Sequence, residues 1–176
     1  MRICPALLLT ALALLTFSGC QSGGVKAVLP ISGGGKIDVE LGADGPKPGE
    51  ADGYTAIRPA VFPGKENREL NYEFGIHSSG ASDLKRIQIV DVSDDQPIPL
   101  IDDTHPKFIN SIWLGKSEMI SADDPRLKWV LQLPMSLRVY RYTLTHADGK
   151  QASFYNVGAY PPWLKTLIRT KWGDNY

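Results

Sequence analysis

The chain has 176 residues, 43% hydrophobic and 22% charged, which excludes a disordered polymer and fits one globular domain with extensions. Nineteen basic residues balance nineteen acidic ones, so no general field recommends a nucleic acid as partner. Of the two cysteines, Cys4 lies in the N-terminal apolar segment and Cys20 at its end; a chain shortened to Cys20 has no disulfide, although export would permit one.

Arg2 precedes a short apolar block at 6–17, followed at once by Ser18, Gly19, Cys20 and Gln21. A helix that spans a bilayer needs about 20 apolar residues. This block is shorter and predicts a secretory signal rather than a permanent span. Phe17-Ser18-Gly19-Cys20 resembles the lipobox of bacterial lipoproteins, in which two small residues precede a cysteine that receives lipid before cleavage; Phe17 departs from the usual Leu. The resemblance implies a signal peptide over 1–19, fatty acyl chains of the palmitate type at Cys20, and the membrane as first partner. Several such chains, at about 0.8 kcal/mol per buried CH₂, anchor nearly irreversibly. Gln21, in place of Asp, resembles the outer-membrane sorting signal of enteric-type bacteria, which implies a domain facing the periplasm. Nothing in these twenty residues bears on the rest of the chain.

Residues 20–50 are rich in Gly and Pro, among them Gly33-Gly34-Gly35, Pro46 and Pro48, which is linker chemistry. Within them 36–41 alternates polar and apolar residues and predicts an edge strand. The Gly-Lys run at 33–36 lacks the spacing of a phosphate loop.

The domain proper is expected over 51–160. Residues 69–76 alternate Leu70, Tyr72, Phe74 and Ile76 with polar or small neighbours, the pattern of a half-buried strand. Residues 127–133 repeat it with Leu127, Trp129, Leu131 and Leu133. Further strands are predicted at 54–62, 86–92, 98–101, 108–114, 137–145 and 151–157. Pro97 and Pro99 put 98–101 at a sheet edge. In 137–145 the apolar set changes parity between Val139 and Tyr140, which calls for a bulge or a change of packing partner. Ala147-Asp148-Gly149 predicts a hairpin connection.

Seven or eight short strands with no helix before Pro161 predict an all-β fold, an antiparallel β-sandwich. Tyr140 or Tyr142 ahead of the Asp-Gly hairpin resembles the penultimate strand of immunoglobulin-like and fibronectin-type domains. That resemblance implies a tyrosine that bonds back to the chain. The core Trp and cysteine pair of antibody domains have no counterpart here.

The three histidines, His77, His105 and His146, fall in no metal-ligand spacing, and no G-x-S-x-G or second usable cysteine supports a nucleophile. Asp102, Asp103 and His105 are the weak exception, a set suited to a divalent cation or acid-base site but equally to a turn before Pro106. Acidic pairs also occur at Asp94-Asp95 and Asp123-Asp124. Trp113 and Trp129 are expected in the core; exposed beside Tyr140 or Tyr142 they would mark a glycan platform.

Residues 161–176 predict a short amphipathic helix. Pro162 suits its start and Gly173 its stop, and Trp163, Leu164, Leu167, Ile168 and Trp172 form one apolar stripe, a candidate interaction surface. The sequence thus predicts a non-enzymatic envelope lipoprotein without cofactor, an interaction or assembly module with an envelope protein as partner. A glycan binder and a hydrolytic enzyme built around His105 are the alternatives.

Overall fold

The computed structural model describes residues 25–63, 69–118, 120–121 and 136–160. Their order is β1 (Val25–Ile31), a single 3₁₀ turn (Ser32–Gly34), β2 (Gly35–Gly42), β3 (Gly45–Pro46), β4 (Glu50–Ala51), β5 (Tyr54–Pro63) and β6 (Glu69–Ser78). Then follow β7 (Leu84–Asp91), β8 (Ile98–Asp103), β9 (Ile112–Lys116), β10 (Ile120–Ser121), β11 (Ser136–His146) and β12 (Gln151–Tyr160). Every pairing among them is antiparallel. No α-helix occurs among the described residues. The strand at 127–133 and the C-terminal helix expected from sequence lie outside them.

Two sheets face each other across one core. The first runs β4-β5-β6, with β9 and β10 both on the far side of β6; the second runs β12-β11-β7-β8. Alternation decides what fills the gap. Tyr72, Phe74 and Ile76 of β6 point inward against Ile87 and Ile89 of β7, Tyr140, Tyr142 and Leu144 of β11, and Phe154 of β12. Phe74 meets the edge of Tyr140 at 5.0 Å between ring centroids, and Tyr142 stacks on Phe154 at 5.0 Å. These pairings are the geometries that ring quadrupoles favour.

A third sheet, β1-β2-β3, lies on the outer face of the second. Val39 of β2 is buried with Val92, Val139 and Val157, and Leu29, Ile31 and Ile37 pack beside them. The parity change in β11 has its explanation here. The β11–β12 register runs without a shift from Ser136↔Tyr160 to Thr145↔Gln151, so no bulge sits at Tyr140. Leu137 and Val139 face the hairpin while Tyr140, Tyr142 and Leu144 face the core. Of the two ways to reconcile that pattern, a second packing partner is the one used. The Gly- and Pro-rich stretch that reads as a tether is, from Val25 onward, this covering hairpin.

The sides of the sandwich differ. Along β12 the seam is closed: Gly49 donates its N–H to Asn156 Oδ1 at 3.2 Å, and Asn156 Nδ2 donates to the Ile57 carbonyl at 3.4 Å. The approach requires Gly49, because a Cβ there would sit 1.9 Å from the Tyr155 carbonyl oxygen. On the opposite side β8 and β9 are edge strands among the described residues, and no ladder joins them to each other. The β11–β12 hairpin turns as expected, with Gly149 at φ 88 and its N–H on the His146 carbonyl at 3.0 Å. The strand expected from 108 begins only at Ile112, because Asn110 and Ser111 take positive φ and fold 109–112 into a turn.

Candidate functional site

The sequence-named acid cluster lies at the open side. A groove of about 610 Å³ runs between β8 and β9, lined by Leu100, Ile101, Asp102, Asp103, Trp113 and Lys116 among others. Its carboxylates Asp102 and Asp103 are already committed. Arg86 grips Asp102 with two hydrogen bonds of 2.6 Å, which holds the carboxyl below its ordinary pKa. Asp103 accepts the His105 main-chain N–H through Oδ1 at 2.9 Å and the Trp113 indole N–H through Oδ2 at 2.8 Å. The exposed His105 ring pairs with the Thr104 hydroxyl at 2.9 Å. Asp102, Asp103 and His105 therefore form a turn and its braces, each side chain aimed at a different partner. Among the described residues no group of three His, Cys, Asp or Glu side chains is placed to hold a metal.

His146 closes the same end of the sandwich. Its Nδ1 pairs with Asp83 at 2.8 Å, its Nε2 lies 3.8 Å from Asp52, and the Tyr54 ring sits edge-on at 5.9 Å. Tyr54 in turn donates to Ser82 Oγ or Asp83 Oδ1, at 3.2 and 3.3 Å. The His146 bond keeps the Asp83 carboxyl below the usual carboxylate range, against a smaller opposing effect of burial. This arrangement ties the β4–β5 turn, the β6–β7 loop and the β11–β12 hairpin together.

At the other end, Arg138 is buried against Asp91 at 2.9 Å and reaches Asp94 at 2.7 Å. Burial opposes its charge, but the two carboxylates outweigh burial and keep the guanidinium above its usual pKa. Next to this pair Tyr140 and Tyr160 join hydroxyls at 2.6 Å, so Tyr140 bonds another tyrosine where the corner-tyrosine resemblance implies a bond to the chain. Burial raises the phenol pKa of both. Tyr142 Oη is buried as well, which raises its pKa, and the neighbouring Asn156 side chain opposes that shift. Trp113, Tyr140 and Tyr142 are each at most 2% exposed, so none of them is a surface platform for a sugar ring. Trp129 and the Asp123-Asp124 pair lie outside the described residues.

What the surface does offer is apolar. Outward positions of an antiparallel sheet that faces water are normally polar, yet the first sheet breaks this rule. Ile57 and Phe62 of β5 and Ile112 and Leu114 of β9 are exposed at 36%, 46%, 37% and 73%, with Ile109 beside them at 75%. Register puts Ile57, Gly75 and Leu114 in one row across the three strands. Ile57 leans over Gly75, where a Cβ would meet its Cδ1 at 2.9 Å. Glu73 and Lys116, paired to each other, border the row. The signal for this face is present in the sequence. Residues 54–62 and 108–114 carry apolar residues at both parities, which alternation alone assigns to a strand buried on two sides.

Cys20 and the tail residues Trp163, Leu164, Leu167, Ile168 and Trp172 lie outside the described residues. No helix among the described residues is long and apolar enough to cross a membrane. No known family's sequence model matches the chain, and no curated protein matches it either.

Proposed function

We propose that this is a lipid-anchored envelope lipoprotein, processed after Gly19 and acylated at Cys20, whose sandwich is a non-enzymatic interaction or assembly module. One observation carries the reading. Asp102, Asp103, His105 and His146 are engaged in bracing turns and sheet ends, while five large apolar side chains are exposed on the first sheet and its edge turn. Large apolar side chains exposed together on one sheet face, here Ile57, Leu114 and Ile112 with Phe62 beyond the Glu73–Lys116 pair, mark docking sites. The anchor rests on the Phe17-Ser18-Gly19-Cys20 segment, and Gln21 favours the outer membrane with the domain in the periplasm. The strand order supports an immunoglobulin-like arrangement, with hairpins inside each sheet and crossings between sheets at β6–β7, β8–β9 and β10–β11.

Two measurements test this reading. Labelled palmitate should enter the wild-type protein and not Cys20→Ala, and that variant should leave the membrane fraction; equal partitioning of both removes the anchor. Wild-type protein purified from detergent-solubilised envelopes should carry a defined partner set that Leu114→Asp loses with its fold intact by circular dichroism. Retention of the same set by Leu114→Asp removes the docking face.

A further inference from the structure

We propose that the C-terminal segment 161–176 is the resident occupant of this apolar face, lying with its stripe of Trp163, Leu164, Leu167, Ile168 and Trp172 across Phe62, Ile57 and Leu114. The proposal rests on the reading of that face as the docking surface and names what covers it before any partner arrives.

Four observations lead to this occupant. The chain leaves the sandwich at Tyr160, the last residue of β12, the strand whose edge lies against β5: a Cβ at Gly158 would meet Pro59 at 3.0 Å. The tail therefore starts at the border of the sheet that carries the face, on the side of Phe62. Its length fits. From Trp163 to Trp172 a helix covers about 15 Å, and the strand from Phe62 back to Ile57 covers about 15 Å. The chemistry also fits, because fewer than about 12 residues hold no stable helix alone and the stripe must be buried against something. Finally, a helix stripe covers a sheet face as one layer on another, whereas the other apolar stretch outside the described residues, 127–133, alternates with the period of a strand, and strands add at edges.

A partner for this face must then displace the tail. The arrangement makes the segment an intramolecular competitor for the same surface, on a domain held at the membrane through Cys20.

A double-substitution cycle on the full mature protein in detergent tests the docking. Leu114→Asp and Leu167→Asp should each lower the melting temperature by about 5 °C, and the pair should fall no further than the worse single change, because one lost contact cannot be lost twice. Leu114 is mostly solvent-exposed in the sandwich, so its substitution leaves the core intact. Additive shifts, or no shift from Leu167→Asp, overturn the proposal. Sedimentation should give one monomeric species. A dimer that Leu167→Asp dissociates would show the stripe serving a second copy, and would overturn it too. The docking reading fails separately: coupling without loss of partners from Leu114→Asp keeps the tail and rejects the function, and loss of partners without coupling does the reverse.

Discussion

The indole N–H of Trp113 donates to Asp103 Oδ2 at 2.8 Å, so the one buried tryptophan of the described residues is held by the carboxylate that the sequence offers as a cation ligand. Asp103→Ala leaves that donor without its acceptor and should cost about 1–3 kcal/mol of stability. Asp103→Asn, which keeps an acceptor oxygen, should cost less. Urea unfolding followed through tryptophan fluorescence checks both. Calcium or zinc at millimolar concentration should leave the wild-type midpoint unchanged; a rise that Asp103→Ala abolishes would restore the metal reading.

Arg138 and Asp91 form the only ion pair among the described residues with both side chains at most 5% exposed. Asp91 also accepts from Ser93, through N–H at 2.9 Å and hydroxyl at 2.6 Å. Asp91→Ala keeps Arg138 buried with the more exposed Asp94 and should destabilise by about 3–5 kcal/mol. Replacing both partners, Asp91→Leu with Arg138→Met, should recover most of that loss, since two apolar side chains need no desolvation. If the double variant is no more stable than Asp91→Ala, the pair contributes more than the desolvation cost of its two buried charges.

The sheet core was readable because the strands that form it alternate. The Tyr72, Phe74, Ile76 set and the Tyr140, Tyr142, Leu144 set have period 2 and one buried face, and Gly149 marks the β11–β12 hairpin. Two features resisted for one physical reason. Val139 and Val157 are buried on the outer face because a distant hairpin covers them, and Ile57 and Leu114 are apolar on the outer face with no described covering at all. Local periodicity reports how many faces of a strand are apolar and not what lies on them. The hairpin itself was hidden by composition, since its glycines and prolines cluster at the turns and connections, around Ser32–Gly34 and Gly45–Pro46. His146 gave no signal either, because its partners Asp83 and Asp52 come from elements far apart in sequence.

Acid should weaken the His146 end of the sandwich. The carboxyl of Asp83 is held below its ordinary value by its bond to His146, so the folded state binds the proton less readily than the unfolded one. The stability this contributes is present above the unfolded carboxylate pKa of about 3.9 and is lost as pH falls through the lower folded value. Asp83→Asn should therefore be less stable than wild type at about pH 7, and the two should converge as the pH falls through the lowered folded-state pKa of Asp83. A gap in urea midpoint that persists at low pH would assign the effect to something other than this carboxylate.

The last prediction concerns where the domain begins. Composition places the boundary at 51, but Val39, Leu29, Ile31 and Ile37 cover Val92, Val139 and Val157 on the outer face of β7, β11 and β12. The hairpin is also fastened by main chain: Ser32 donates to the Val92 carbonyl at 2.7 Å, and Val92 donates to that of Val139 at 2.9 Å. A buried valine or leucine side chain contributes about 1.5–3 kcal/mol, and three valines re-exposed together approach the whole stability of a small domain. A protein starting at residue 51 should therefore melt far below one starting at residue 25, and should bind a hydrophobic dye that the longer one does not. Equal melting temperatures would mean that the hairpin rests on the sandwich without stabilising it. If the longer form is the stable unit, only Gln21 to Gly24 separate the proposed lipid on Cys20 from β1, and four extended residues span at most about 14 Å. The module then works close against the membrane surface rather than on a thirty-residue leash. Lengthening this junction by a Gly-Ser insert should lower its efficiency in capturing membrane-bound partners and leave its melting temperature unchanged.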